Sequence, residues 1–363
     1  MGVRVYERWL RDKRFDYFDG LRSVSIFIVI LYHSGPRFGI DGPLVGAGHA
    51  GVDLFFVISG FLITTLLVKE KEKYGAINLK NFYFRRALRI FPLYYLMLFG
   101  HLLLCLYVID EAYPAESAQF VGNFFYFFTY TSNWFVSLND EHRTILYHAW
   151  SLAAEEQFYL CWPPVLYLVR KKSRALAMVL LASAVSLAFR SYGASSPELL
   201  TVLPAKIISS IPLGICVGVL LSLLLHSRHG EVVFRAINRK LVPEFSVLVL
   251  IVSYAFYAAG SISITFLQLV MGFCVMVLST NRPFLASGLF TSDLVVRYGK
   301  VSYGQYLYHM LCLNAVMWLG SMVSVPGVVS LSVVFVASYV VSVASYVYFE
   351  SYFLGKKKKY SSA

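Results

Sequence analysis

Three ionisable side chains lie within one apolar stretch near the start of the chain, FDGLRSVSIFIVILYH. Charged groups are costly in hydrocarbon, so Asp19, Arg22 and His33 mark a candidate functional site. On a helix, Arg22 and His33 share one face roughly 16 Å apart, and Asp19 lies within about 40° of it. An imidazole base and an anion-binding guanidinium could therefore line one passage. The alternative for Asp19 and Arg22 is an ion pair at the helix start.

A second apolar stretch, GVDLFFVISGFLIT, carries Asp53 near its beginning. If this segment runs back across the bundle, Asp53 lies at about the depth of His33. Its carboxylate would then hold the imidazole in one tautomer and stabilise the imidazolium. The alternative is an acidic residue favoured by the dipole at a helix N-terminus. Ser59 either lines a cavity or belongs, with Gly60, to a close contact between helices.

Two arginines on one helix face are predicted in a third segment, FRRALRIFPLYY. Arg86 and Arg89 are three residues apart, and such residues are neighbours on a helix surface. Each guanidinium can bind phosphate oxygens bidentately, so the pair suits a phosphate-rich anion. The alternative is that both arginines only anchor the chain at the membrane surface.

Paired carboxylates occur in a fourth segment, HAWSLAAEEQFYLCWPP. Ser151 is predicted to cap a helix that begins there, with Glu155 and Glu156 in the first turn or so. Adjacent residues on a helix diverge by about 100°. We therefore expect one of the two carboxylates to face the protein interior.

Two further ionisable residues lie near the C-terminal end of the chain. His309, in SYGQYLYHM, is expected in the cytosolic half of its helix, and Glu350, in YFESYF, near the cytosolic surface. A basic partner such as Arg22 or Arg89 could meet Glu350 there. The alternative is a solvated helix end.

The composition indicates that membrane helices position these residues. Of 363 residues, 58% are hydrophobic and 14% are charged, whereas soluble domains devote about a quarter to charge. Several apolar runs reach the length of about 18 residues that spans a bilayer. The net charge of +12 comes from short basic tracts between apolar runs. That pattern is typical of cytosolic loops and argues against nucleic-acid binding. The five cysteines show no metal-ligand spacing, and no metal site is predicted.

We therefore predict an all-α fold, a single polytopic membrane domain over residues 1–363 with about ten transmembrane helices and both termini cytosolic. A basic segment at 1–14 and a basic tail at 356–363 are placed in the cytosol. The apolar piece at 124–138 is about 15 residues long, which is short for a crossing, and is expected to be re-entrant or interfacial on the outer face. The predicted spans cover residues 18–37, 51–68, 90–109, 151–169, 175–190, 205–225, 244–260, 263–280, 302–320 and 327–349.

Six segments in a fixed order carry a family resemblance: FDGLRSVSIFIVILYH, GVDLFFVISGFLIT, FRRALRIFPLYY, WSLAAEEQFYL, VSYGQYLYH and YFES. Together they resemble the acyltransferase-3 family of integral membrane O-acyltransferases. The resemblance implies ten spans, a cytosolic acyl-CoA donor and an acceptor outside the cytosol, often a cell-envelope or exported glycan. The family's motif residues fall on Arg22, His33, Arg86, Arg89, Trp150, Ser151, Leu152, Glu155, Glu156, Ser302, Tyr303 and His309.

The predicted function is transfer of an acyl group from an acyl-CoA to a hydroxyl of a carbohydrate or glycolipid. The acyl group expected first is acetyl, with acetyl-CoA as its donor. His33 would act as general base or would carry the acyl group itself. The predicted catalytic residues are His33, Asp53, Glu155 and Glu156. The predicted donor-binding residues are Arg22, Arg86 and Arg89. The other residues predicted to line the site are Asp19, Ser59, Trp150, Ser151, Ser302, Tyr303, His309 and Glu350.

The expected setting is a multi-pass protein of the bacterial inner membrane, with lipid as its surroundings and no bound cofactor. The alternative function is a secondary transporter or flippase for an acylated or glycan substrate, because ten spans with buried charges would suit one. The sequence shows no inverted repeat and no paired broken helices of the kind that transporters often have.

Overall fold

The fold is all-helical, as predicted. The computed structural model describes residues 2–12, 14–109, 114–136, 146–195, 202–322 and 325–360, and the regular elements in these ranges are helices and helical turns. The helices are α1 (Gly2–Arg11), α2 (Phe18–Ser34), α3 (Ala50–Tyr74), α4 (Leu79–Leu104), α5 (Pro114–Phe128), α6 (Trp150–Leu168), α7 (Lys172–Ser195), α8 (Leu203–Ser209), α9 (Leu213–Leu225), α10 (Gly230–Ile237), α11 (Val242–Ala258), α12 (Ile264–Leu278), α13 (Asp293–Lys300), α14 (Ser302–Gly320), α15 (Gly327–Ser345) and α16 (Ser351–Lys356). Short helical turns cover Gly35–Phe38, Pro43–Gly46, Ala47–His49, Cys105–Ile109, Ser132–Phe135, Tyr147–Ala149, Ser287–Phe290, Tyr346–Glu350 and Lys357–Tyr360.

Each of the ten predicted spans coincides with a helix or a bent pair of helices. By length and composition, four stretches of the described chain could cross a membrane: Pro43–Tyr74, Leu79–Val108, Lys172–Gly193 and Gly327–Lys356. The number rises to six if α8 with α9, bent by 52°, and α10 with α11, bent by 80°, each count as one crossing. Ten crossings with cytosolic termini therefore stay a prediction.

Large apolar side chains cover much of the outer surface of the bundle. Leu168, Leu181 and Val336 are 73%, 66% and 61% exposed, and they belong to three different helices. Soluble proteins rarely expose contiguous apolar surface on this scale. These faces suit the acyl chains of a bilayer.

Predicted cytosolic segments meet at one end of the bundle. Lys69 Nζ donates to the carbonyl oxygens of Trp9 and Asp12 at 2.5 and 2.7 Å, which ties the end of α3 to the N-terminal segment. Lys172 Nζ, at the start of α7, donates to the carbonyl of His226 at 2.6 Å. Loops that follow different helices are thus held together by lysine-to-carbonyl hydrogen bonds.

The C-terminal tail lies at this same end. Arg85 Nη1 donates to the carbonyl oxygen of Tyr360 at 2.7 Å, and the rings of Phe84 and Tyr360 stack with centroids 4.8 Å apart. The predicted outer loops meet at the opposite end, where the Tyr254 hydroxyl donates to Leu44 O at 2.7 Å. Both described termini therefore lie at one end, which agrees with the predicted even number of crossings.

Helix α3 runs through the middle of the bundle and packs tightly against α9. A Cβ added at Gly60 would lie 2.1 Å from the carbonyl oxygen of Ile215, and one at Gly218 would lie 2.2 Å from Val57 O. Two glycines thus let the helix backbones touch, which confirms the close helix contact predicted at Gly60.

Helix α4 begins earlier than the predicted span at 90–109. Asn78 caps it, since its side chain accepts a hydrogen bond from the backbone N–H of Asn81 at 2.9 Å. Arg86 and Arg89 consequently lie on the second and third turns of the helix rather than at its very start. The positions of both guanidinium groups are fixed by that helix.

The segment predicted as re-entrant at 124–138 is only partly one element. It begins within α5 and continues into the turn Ser132–Phe135, while residues 137 and 138 lie outside the described ranges. Helix α5 packs on α4, with the Tyr94 hydroxyl donating to Phe127 O at 2.8 Å. At the C-terminal end, a wide π-helical turn at Tyr346–Glu350 joins α15 to α16.

Candidate active site

A cavity of about 310 Å³ lies between α2, α3, α4, α6, α14 and the C-terminal tail. Its volume falls within the usual range for small-molecule pockets. Apolar side chains, most of them from α3, form part of the wall, and a larger set of polar and charged groups forms the rest. The polar lining consists of Arg22, Ser59, Arg86, Arg89, Ser151, Glu155, Glu156, Tyr159, Ser302, Tyr303, Tyr306 and Lys357.

One part of the wall is cationic. Arg22 Nη1 lies 2.8 Å from Asp19 Oδ1, so the ion pair considered from the sequence is present, and Arg22 lines the cavity as well. Arg86 stacks its guanidinium 5.1 Å from the ring centroid of Tyr159. Arg89 makes no hydrogen bond or ion pair with the described residues. The shared face predicted for Arg86 and Arg89 is confirmed, since both reach this cavity.

A smaller cavity of about 260 Å³ adjoins this cationic wall. It shares Arg22, Arg89 and Tyr303 with the larger cavity and is also lined by Glu350. Glu350 is buried and accepts a hydrogen bond from Ser345 Oγ at 3.3 Å. The neighbourhood predicted for this carboxylate is therefore confirmed, whereas the solvated helix end is not observed.

Both glutamates of α6 line the larger cavity, which corrects the expectation that only one faces the interior. The Glu155 carboxylate accepts hydrogen bonds from Ser59 Oγ and from the Tyr159 hydroxyl. Glu156 lies on the same wall without a hydrogen bond to the described residues. The cavity therefore borders more than 100° of the helix circumference, so two successive side chains can both line it. Ser59 therefore faces a cavity and does not belong only to a helix contact.

Three histidines form a cluster beyond the other end of the cavity. His33 Nδ1 lies 3.0 Å from Val29 O and 3.2 Å from His309 Nε2. His309 is fully buried, and its Nδ1 lies 2.8 Å from Tyr306 O. The ring of His148 lies 5.0 Å from that of His309, centroid to centroid.

His309 is the eighth of the 19 residues of α14 and so lies in the first half of that helix, as predicted, yet it contacts His33 near the end of α2. Counting residues from each helix start put the two imidazoles at different depths. The difference between the two counts is eight residues, 15 after Phe18 against seven after Ser302, or about 12 Å, so α2 and α14 do not begin at the same level of the bundle.

Tyr306 and Ser151 stand between the cavity and the histidine cluster. The Tyr306 hydroxyl donates to the carbonyl of His148 at 2.9 Å and lies 2.6 Å from Ser151 Oγ. Both residues line the cavity, and the Tyr306 ring is 5.7 Å from that of His309. Ser151 does not cap α6, because the helix begins one residue earlier and its N-cap position is Ala149. The predicted cap was wrong.

Asp53 does not orient His33. Its Oδ1 accepts a hydrogen bond from Gln268 Nε2 at 2.6 Å, and no hydrogen bond joins it to His33 within the described residues. Gly51 explains the difference, since a Cβ there would lie 2.6 Å from Ser25 O of α2. Asp53 follows two residues later, about 200° around the helix, and so faces away from α2.

The remaining predicted residues divide between the cavity and the packing around it. Ser302 and Tyr303 line the cavity, and the Tyr303 hydroxyl donates to Ile90 O at 2.9 Å. Trp150 instead packs against Phe56, with ring centroids 6.2 Å apart, and is not part of the lining.

The sequence analysis missed four residues at this site, namely Tyr159, Tyr306, His148 and Lys357. Tyr159 and Tyr306 lie inside segments that carried the resemblance, and His148 lies two residues before one of them. Lys357 was assigned only to a basic tail. No group of three or more His, Cys, Asp or Glu residues in the described part of the chain has metal-binding geometry.

A family model described as an acyltransferase domain, Acyl_transf_3, matches residues 15–347. The chain belongs to this acyltransferase-3 family. No solved structure matches it. The peptidoglycan O-acetyltransferase OatA of Listeria monocytogenes is 36% identical over 160 residues, which are 42% of this chain and 24% of that protein.

Two other relatives give a similar picture. The putative O-acetyltransferase SACOL0978 of Staphylococcus aureus is 38% identical over 159 residues, 41% of this chain and 24% of the relative. The putative peptidoglycan O-acetyltransferase YrhL of Bacillus subtilis is 30% identical over 186 residues, 48% of this chain and 28% of the relative. The aligned parts therefore span about a quarter of the length of each of these relatives.

Proposed function

We propose that this acyltransferase-3 protein transfers an acetyl group from acetyl-CoA to a hydroxyl of a cell-envelope or exported carbohydrate across the bacterial inner membrane. The observation that carries the proposal is one cavity with three arginines on its wall and a hydrogen-bonded histidine pair just beyond Tyr306. An anion site and a base at two ends of one passage are what a donor with phosphates and a distant thioester requires. The family match weakens the transporter or flippase alternative.

The donor would bind with its phosphate groups on Arg86 and Arg89. Guanidinium groups make bidentate, charge-assisted hydrogen bonds to phosphate, and both side chains reach the cavity from one face of α4. The pantetheine arm would then extend along the cavity toward Ser151 and Tyr306. This arrangement would bring the thioester toward the histidine cluster while the nucleotide stays near the end of the bundle where the basic segments meet.

The hydrogen bonds around His33 favour one tautomer. A carbonyl oxygen only accepts, so His309 Nδ1, which contacts Tyr306 O, carries a proton. In a neutral imidazole His309 Nε2 is then an acceptor, and His33 Nδ1 is the donor between the two rings. The same Nδ1–H also faces the Val29 carbonyl. His33 Nε2 is therefore the nitrogen without a proton, and it is the atom that would act as the base.

The reaction then follows from these positions. The acceptor oxygen attacks the thioester carbonyl carbon while His33 Nε2 takes the hydroxyl proton. A C–O bond forms, the C–S bond breaks, and the imidazolium returns the proton to the departing sulfur of coenzyme A. In the alternative, His33 Nε2 attacks the thioester carbonyl carbon, the C–S bond breaks, and coenzyme A leaves as a thiolate. The acceptor hydroxyl then takes the acetyl group from the imidazole, and its proton passes to the thiolate by way of His33.

The acceptor is proposed from the relatives. OatA is named a peptidoglycan O-acetyltransferase and YrhL a putative one. A peptidoglycan or another glycan of the cell envelope is therefore the first acceptor to test. Carbohydrate and glycolipid acceptors would both present the hydroxyl that the proposed base requires.

The experiment is transfer from labelled acetyl-CoA to peptidoglycan fragments by the purified protein in lipid nanodiscs. His33→Ala should lower the rate about 10²- to 10⁴-fold, because a general base typically contributes that much. His101→Ala is a matched control, since His101 is buried on α4 and its Nδ1 also contacts the carbonyl four residues earlier, at 2.7 Å. A His33→Ala protein that transfers acetyl as fast as the control would refute the proposal.

A further inference from the structure

The C-terminal tail is held beside the proposed donor site by specific contacts. Its last described turn, Lys357–Tyr360, follows α16 and packs on α4. The ring of Tyr360 stacks on Phe84 at an interplanar angle of 5°, and its carbonyl accepts a hydrogen bond from Arg85. Arg85 is fixed in turn by Glu70, 3.5 Å away. The position of the tail is thus set one residue away from Arg86.

These contacts bring one lysine of the tail into the cavity wall. Lys357 is half-buried and lines the same cavity as Arg22, Arg86 and Arg89. Burial, followed by the positive charges of Arg89, Arg86 and Arg85, lowers the pKa of the Lys357 ammonium to about 8. The tail therefore adds a fourth cation to a space that already holds three.

The carboxylates around this space offset only part of its positive charge, because four of them, Asp19, Glu155, Glu156 and Glu350, lie beside five cations, Arg22, Arg86, Arg89, Lys300 and Lys357. Asp19 is paired with Arg22, Glu155 is bonded to Ser59 and Tyr159, and Glu350 accepts from Ser345. Glu156 lines the cavity but forms no ion pair with Lys357, and Lys300 adds a further positive charge to the adjoining cavity. Like charges gathered in a buried space are unfavourable unless an anion joins them.

We propose that Lys357 binds a phosphate group of the acyl-CoA donor together with Arg86 and Arg89, so that the C-terminal tail forms part of the donor site. This inference rests on the proposed use of acyl-CoA. Coenzyme A carries a diphosphate and a separate ribose phosphate, which is more phosphate than two guanidinium forks can satisfy. A lysine ammonium is a compact point charge with three rotatable donors, suited to a phosphate that the arginines leave open.

The neighbouring lysine makes the assignment specific. Lys356 is exposed, and its Nζ lies 2.8 Å from the Tyr352 hydroxyl and 4.1 Å from the centroid of that ring. It therefore faces away from the cavity, although it belongs to the same basic run. If the run served only to hold the tail at the membrane surface, the two lysines would be equivalent.

The test is equilibrium binding of labelled coenzyme A to the purified full-length chain in nanodiscs. Lys357→Ala should weaken binding about tenfold, as expected for loss of a charge-assisted hydrogen bond. Lys357→Arg should retain most of the affinity, and Lys356→Ala should bind within about twofold of the unaltered protein. Equal affinities for Lys357→Ala and Lys356→Ala would overturn the inference.

A phosphate-free donor separates this inference from a general effect on the site. With S-acetyl-pantetheine, the KM of Lys357→Ala should equal that of the unaltered protein, while the KM for acetyl-CoA should rise with little change in kcat. An equal rise with both donors would show that the substitution damages the cavity, and would overturn the assigned contact. Absence of acetyl transfer from either donor by the unaltered protein would instead refute the proposed function.

The pH dependence gives a second readout. Because the Lys357 ammonium is charged below its pKa of about 8 and neutral above it, coenzyme A should bind less tightly as the pH rises from 7 to 9. Lys357→Arg should flatten this dependence, since arginine stays charged throughout. An identical pH profile for the two proteins would count against a phosphate contact at this position.

Discussion

His33 and His309 share one hydrogen bond, and a backbone carbonyl fixes its direction. The Tyr306 carbonyl decides which nitrogen of His309 is protonated, and His309 in turn decides which nitrogen of His33 is free of a proton. Under the proposed function, these two hydrogen bonds would orient His33 as a carboxylate orients the histidine in many hydrolases. A neutral partner cannot stabilise the imidazolium as strongly as a carboxylate would, so we expect a weaker contribution from His309.

The first prediction at this scale concerns His309. His309→Ala should lower kcat about two- to tenfold, the value of one net hydrogen bond, with the KM for acetyl-CoA unchanged. His309→Gln should recover part of the loss, because its side-chain oxygen can accept from His33 Nδ1. The pH–rate profile of His309→Ala should also change in the limb that reports His33, which a merely structural defect would leave in place.

Asp53 provides the contrast for that prediction. Asp53→Asn should keep the transfer rate within about twofold, because its recorded bond runs to Gln268 and not to His33. A larger loss for Asp53→Asn than for His309→Ala would reverse the roles assigned to the two residues.

The sequence supported the residue types of the site better than their contacts. The arginines, both glutamates, Ser59, Ser302 and Tyr303 all reach the cavity. The predicted contact between Asp53 and His33 was wrong. The direction in which Asp53 points depends on the contact between Gly51 and α2, and the local sequence does not show which helix a glycine contacts. Lys357 was missed since its role depends on Phe84 and Arg85, more than 270 residues away.

Among the helices, α3 contributes both to the wall of the cavity and to the close contact with α9. Gly60 lies one residue after Ser59, so the residue that packs against α9 is adjacent to one that faces the site. Any shift of α9 away from α3 would move Ser59 and its bond to Glu155. Close packing and site geometry are therefore coupled in this helix.

The second prediction follows from that contact. Gly60→Ala should lower the thermal unfolding midpoint of the purified protein by several degrees, because the new Cβ would overlap a carbonyl oxygen and overpacking typically costs about 1–3 kcal/mol. Gly100→Ala on α4 is the control, since a Cβ there meets nothing within 4 Å. Equal midpoints for the two variants, measured by intrinsic fluorescence, would contradict the close contact.

The positions of the helices could be predicted because long apolar runs mark them. The ends of the helices were predicted less accurately. The start of α4 was placed too late because the span was counted from the apolar run at residue 90, yet the Asn78 cap begins the helix before the arginines. The break between α8 and α9 was also missed, although Pro212 stands at it and precedes α9. Prolines and caps identify such ends once the neighbouring helix is known.

At the scale of the whole molecule, the two ends of the bundle differ in charge. Basic segments from the N-terminus, the α3–α4 connection, the start of α7 and the tail meet at one end. Basic residues near apolar runs favour the cytosolic side. Segments that are all predicted in the cytosol must lie at one end of the bundle, and the structure places them there.

The third prediction tests the orientation itself. In a Cys161→Ser background, which removes the exposed cysteine of the described chain, Lys73→Cys should react with an impermeant thiol reagent only after cells are permeabilised. Asp41→Cys, from the opposite end, should react in intact cells. The reverse pattern would invert the layout, and with it the side from which the donor enters.

The wide turn at Tyr346–Glu350 has a further consequence for the tail. A π-helical turn acts as a one-residue insertion, which sets back the rotation of everything after it by about 100°. Each side chain beyond the turn points roughly where its predecessor would in an uninterrupted helix. The turn therefore contributes to the fact that Lys357, and not Lys356, reaches the cavity. Insertion or deletion of one residue in that turn would rotate the tail, so that a residue next to Lys357 would face the cavity while the composition of the tail stayed the same.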